Sequence, residues 1–143
     1  MTVRSDIMDA VIAALDGVSG MKSVSEIFKS YTEVAPKDIP ACFPIDTDEE
    51  HEPFTMGDAG QIMARLRVLV TVYTYSATGN TRPVRVAMIK AINQAILNDT
   101  ILEGLTLDVE PVSVNTDYGT IENYSIWNQE FEITYLYNRT DGG

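Results

Sequence analysis

The chain has 143 residues, 45% of them hydrophobic, which suits one domain over residues 1–143 with a single ordinary core and leaves little room for a second. Its net charge of −11 argues against tight binding of a phosphate backbone, which needs clustered Lys and Arg, and its one cysteine excludes a disulfide framework within the chain. Nowhere do about 18 apolar residues run together without a charge, so no membrane span is expected.

Residues 6–17 carry Ile7, Met8, Val11, Ile12, Ala14 and Leu15 at helical spacing, with acids early and Gly17 at the end, which predicts an amphipathic helix. Residues 23–34 fit either of two readings. Val24, Ile27, Phe28 and Tyr31 make a helical stripe behind a Ser23/Glu26 capping box, while the β-branched and aromatic content suits a strand. Pro36 and Pro40 then lead into a short strand over 41–45, and residues 47–60 read as a polar loop, longer than the usual 4–6 or so and hence a candidate functional segment.

From 62 to 74 apolar residues occupy the even positions up to Val72, opposite Arg65, Arg67, Thr71 and Tyr73, which predicts a long strand with one buried face. SATGN is a turn, Asn80 or Thr81 can cap, and Pro83 opens a helix with Val84, Met88, Ala91, Ile92, Ala95 and Ile96 on one stripe, ending near Asn98. DTILEG reads as one helical turn closed by Gly104. Leu105, Leu107 and Val109 alternate as a strand that Pro111 should weaken or end, NTDYG signals a turn, and residues 127–137 alternate again. The order predicts an α+β domain, a mainly antiparallel sheet with helices packed on one face.

The segment IPACFPIDTDEEHEPF collects the only cysteine, Cys42, and the only histidine, His51, beside five carboxylates. A cysteine nucleophile needs a lowered pKa, and the apolar, proline-bounded surroundings of Cys42 act the other way, which makes it a packed side chain. DTDEEHE lacks the glycine-containing spacing of a calcium loop and the second histidine of zinc sites, so it reads as a solvated acidic loop, with His51 one residue among carboxylates, and no metal or cofactor is expected. GxGxxG, P-loop, GxSxG and CxxC motifs are absent, and Glu130/Glu132 lie on the exposed face of one strand, where water keeps both ionised. No catalytic residue is assigned. The first residues interrupt their apolar content with Asp6, Asp9 and Asp16, unlike a signal peptide, so a cytoplasmic origin is expected and the Asn-x-Ser/Thr triplets at Asn98, Asn123 and Asn138 are read as chance.

Between Lys90 and Arg139 no basic residue occurs, while Asp99, Glu103, Asp108, Glu110, Asp117, Glu122, Glu130 and Glu132 do. Taken in order, the opening helix, IPACFPID before an acidic loop, the strand RLRVLVTVYTY, the helix RVAMIKAINQAILNDTILEGL, the strand TLDVEPVSVNTDYG and the final WNQEFEITYLY resemble the tail terminator (tail-completion) proteins of long-tailed bacteriophages. The resemblance covers nearly the whole chain, and the NDTILEGL, DVEP, TDYG succession is its most specific part. It implies a strand over 23–34 and a virion subunit, made in the host bacterial cytoplasm, that closes into a ring, usually a hexamer. Such a ring caps the head-proximal end of the tail tube and meets the head-completion or neck proteins.

Six copies at −11 each would carry −66, and a lumen lined by carboxylates would pass DNA by repelling its phosphates, with Asp108, Glu110, Glu130 and Glu132 as the candidate lumen acids. Candidate contacts to a neighbouring subunit, tube or neck are Asp46, Asp48, Glu49, Glu50, His51 and Glu52 in the loop, and Arg65, Arg67, Arg82 and Arg85, grouped with Lys90 in one strand and one helix. Two other readings stand beside this one: another ring-forming neck or head-closure component of related fold, and, from a different class, a small cytosolic enzyme with a metal- or carboxylate-dependent site.

Overall fold

A computed structural model describes residues 2–57, 60–117 and 121–143. A five-stranded sheet holds the order β1-β2-β3-β5-β4, built from β1 (Ser23–Val24), β2 (Ala41–Pro53), β3 (Gln61–Tyr75), β4 (Asp108–Thr116) and β5 (Tyr124–Asn138). Among the described residues only the β1–β2 pairing is parallel. Helices α1 (Val3–Asp16), α2 (Arg82–Leu97) and α3 (Thr100–Leu105) lie over one face, so the expected α+β architecture is present.

Burial follows the two periodicities. Along β3 the even residues Ala64, Leu66, Val68, Val70 and Val72 are buried, and along β5 the odd residues Trp127, Phe131, Ile133 and Tyr135 meet them across the register pairs Val72/Trp127, Val68/Phe131, Leu66/Ile133 and Ala64/Tyr135. Helix α1 sets Ile7, Val11 and Leu15 into this layer, and α2 sets Met88, Ile92 and Ile96. Gln129 is the largest of the buried polar side chains: it accepts a hydrogen bond from Trp127 Nε1 at 2.8 Å and donates to Asn93 Oδ1 at 3.0 Å, tying β5 to α2 with its buried amide satisfied.

The structure differs from the sequence reading in four places. Residues 23–34 form neither a long strand nor a helix; only Ser23–Val24 pairs, and Ser23 Oγ donates to the Asp38 carbonyl at 2.9 Å instead of making a capping box. The rest is a folded strap held by Ser30 donating to Glu33 Oε1 through its backbone N–H and its hydroxyl, and by Tyr73 OH donating to the Lys29 carbonyl at 2.6 Å. Its aromatic residues cover the open side of the sheet at one end, with Phe28 edge-on to Phe43 and Tyr31 against Tyr124, so their apolar content serves burial and not a ladder.

Second, the acidic segment is strand and not loop through Pro53, because β3 supplies it with a complete antiparallel partner down to Ile62. A register shift between Asp46 and Glu49 marks a bulge. Third, Gly104 lies inside α3, which begins on an Asp99 cap and ends with Thr106 Oγ1 donating to the Leu102 carbonyl at 2.6 Å. Fourth, β4 begins at Asp108 and runs past Pro111 to Thr116 with a register shift between Pro111 and Ser113; as an edge strand it tolerates the missing N–H. Of the NTDYG turn, residues 118 and 119 lie outside the described residues.

Candidate functional site

Opposite the helices the sheet is uncovered over the half nearer the β2–β3 hairpin. Register places there Glu50 beside Arg65, Arg67 beside Glu132, Leu69 beside Glu130, and Glu110 beside Glu132. Alternation explains the set: each belongs to the strand face turned away from the helices. A recess of ≈ 230 Å³ is lined by Asp48, Glu50, Arg65, Arg67, Glu130 and Glu132.

The arginines here are used within the chain. Arg67 Nη1 lies 3.2 Å from Glu130 Oε1 and Arg67 Nη2 lies 2.9 Å from Glu132 Oε2, so Arg67 clamps both carboxylates that the sequence placed side by side in water. Arg65 Nη2 donates to Glu52 Oε1 at 2.8 Å. Two cations among four carboxylates leave the recess acidic, and nothing in it is arranged as nucleophile and base. On the same face Asp108 lies near Glu110, and a proton shared with Asp108 together with the Asp108 charge raises the Glu110 pKa above the ordinary carboxylate value.

The other half of the acidic segment turns toward the helices, where a residue without any sequence signal organises it. Arg4, in the first turn of α1, donates to Asp46 Oδ2 from Nε at 2.8 Å and from Nη2 at 2.6 Å, and its Nη1 stands 2.8 Å from Glu49 Oε2, off the N–H direction. The Glu49 side chain is only 6% exposed; its other oxygen accepts from Tyr135 OH at 2.6 Å and lies 3.3 Å from His51 Nε2. His51 in turn shares a 2.9 Å hydrogen bond between Nδ1 and Tyr137 OH, which fixes the ring edge-on to Tyr137. His51 is thus part of a network and not a free solvated side chain. Burial works against the Arg4 charge, yet the bond to Asp46 and the field of Glu49 prevail and raise its pKa; burial and the Glu49 bond push Tyr135 up as well. Arg4 and Tyr135 were not predicted as site residues because only the α1–β2–β5 packing brings them to Glu49.

Of the remaining candidates, Asp48, Glu50 and Glu52 face outward, and Arg82 and Arg85 lie at the start of α2, where no ion pair engages them or Lys90 among the described residues. Cys42 is fully buried with its thiol pushed up to about 12 by burial, the environment the apolar flanks imply. Among the described residues no group of three or more His, Cys, Asp or Glu is placed to hold a metal ion. No helix among the described residues is long and apolar enough to cross a membrane.

No protein-family model and no curated protein matches the chain. Among solved structures, a chain of the virion of a native gene transfer agent particle matches over 94% of this chain and 92% of its own length, at 14% sequence identity and a TM-score of 0.46. A likeness of that strength supports no argument about function.

Proposed function

We propose that the chain is a structural virion protein of the tail terminator kind, which closes into a ring on the head-proximal end of a phage tail tube, stops tube growth and offers a surface to the head or neck. It works by assembly and steric capping. The observation that carries the reading is the ordered succession of segments ending in NDTILEGL, DVEP and TDYG, which resembles that family over nearly the whole chain. The physical character of the fold supports it: a rigid, helix-backed sheet whose uncovered face is acidic and whose arginines there are internally neutralised suits a wall past which DNA slides without sticking. Asp108, Glu110, Glu130 and Glu132 would line the lumen in a hexamer.

Native mass measurement, alone and on purified tail tubes, tests the ring. A closed ring of uniform size, and tails of uncontrolled length when the protein is removed from an infection, are the expected outcomes. A ring that forms without affecting tail length would favour the second reading, a neck or head-closure component.

A further inference from the structure

We propose that copies of the chain meet through two unlike patches: the tip of the β2–β3 hairpin of one copy seats in a groove on the outer side of α2 of the next. The groove, ≈ 540 Å³, is lined by Asn80, Arg82, Pro83, Val86, Ala87 and Lys90, within the roughly 300–1,000 Å³ that seats a compact apolar group. Val86 is 55% exposed on it. The tip offers apolar side chains with acid beside them. Met56 is 92% and Phe54 52% exposed, and the strand leading to them carries Glu50 on the surface, with Glu52 beside it already paired with Arg65.

Charge complementarity selects a second copy as the occupant. In a chain of net charge −11, Arg82, Arg85 and Lys90 are three cations on one helix without an ion pair among the described residues; Arg4, Arg65 and Arg67 are engaged, and the other cations without an ion pair, Lys22, Lys29, Lys37 and Arg139, lie on other segments. An acidic, apolar tip satisfies the cations and covers Val86 in one contact. The tip cannot serve its own groove. It leaves the sheet at Gln61, while α2 follows Tyr75 at the far end of the same strand, about 45 Å away at roughly 3.3 Å per residue. The contact is therefore between copies; repeated head to tail it is heterologous, the type that closes rings, and in this respect the proposal rests on the assembly reading above while naming its interface.

The test uses the full chain and two surface substitutions, Met56→Glu on the tip and Val86→Glu in the groove, both at exposed positions that leave the core intact. Sedimentation should show the wild type assembling below about 1 mM, the weak limit of specific association. Each variant alone should lose affinity by on the order of tenfold or more. Mixed together they should form a one-to-one dimer and nothing larger, because only one intact tip meets one intact groove. Met56→Cys mixed with Val86→Cys should cross-link between copies, the buried Cys42 not competing. Variants that assemble like the wild type, or a cysteine pair that never links, would overturn this interface while leaving the ring reading standing. A wild type that remains monomeric alone and on tail tubes would overturn both.

Discussion

Arg4 shows how one side chain on a helix can set the conformation of a distant strand. Its guanidinium holds Asp46 and Glu49 on the inner side of β2, and Tyr135 completes the shell around the nearly buried Glu49 carboxylate. Arg4→Ala should destabilise the fold by roughly 1–3 kcal/mol in urea unfolding; a fully buried pair costs about 3–5 when broken, and Arg4 is partly open to solvent. Arg4→Ala combined with Glu49→Gln should recover part of the loss, since the charge left behind is then gone. At Cys42 the thiol is favoured in its neutral form when folded, with its pKa at about 12 against an ordinary 9.0. This contribution to stability is complete below pH 9.0 and is lost as pH rises through about 12. A thiol reagent at pH 8 should leave the native protein unlabelled and label it stoichiometrically in denaturant.

At the level of elements, β2 does two jobs along one strand. Its first residues, Ala41 to Pro44, are buried, and its last ones, still paired with β3 in the sheet, are exposed and lead to an exposed hairpin tip. Cutting out residues 46–58 would remove the partner of β3 as well as the tip, so it cannot isolate the contact. Replacing residues 54–61 with a two-residue Asn-Gly turn should do so: β2 and β3 remain paired up to Pro53 and Ile62. The shortened protein should keep its urea midpoint nearly unchanged, stability shifting by about 0.5 kcal/mol or less as for other surface changes, and should lose self-association in sedimentation.

For the whole molecule, charge is the dominant surface property. With a net charge of −11, self-repulsion opposes the compact state. Raising sodium chloride from about 0.01 M to 0.15 M, where the screening length falls from about 30 to 8 Å, should raise the thermal midpoint. Between copies salt screens the local tip-to-groove attraction and the repulsion of −11 against −11 alike. The thermal midpoint is therefore the salt readout that isolates folding.

The strands β3 and β5 and the helices α1 and α2 were legible in the sequence, because their apolar residues keep period 2 or 3.6 over many residues and their burial repeats that period. The packed role of Cys42 was legible from its apolar, proline-bounded neighbours. The acidic stretch was not, since Asp and Glu are poor local strand formers and only the cross-strand bonds of β3, with Arg65 on Glu52 and Arg4 on Asp46, make residues 46–53 extended. Nor was the strap over 25–35, whose aromatics are drawn to Phe43 and Tyr124 of the sheet. Sequence by itself determined which faces are apolar and how acidic the surface is. Tertiary structure alone decided which charges are consumed internally and which remain to meet a neighbour, because ion pairing depends on distances between residues far apart in the chain, as Arg67 lies 63 positions from Glu130.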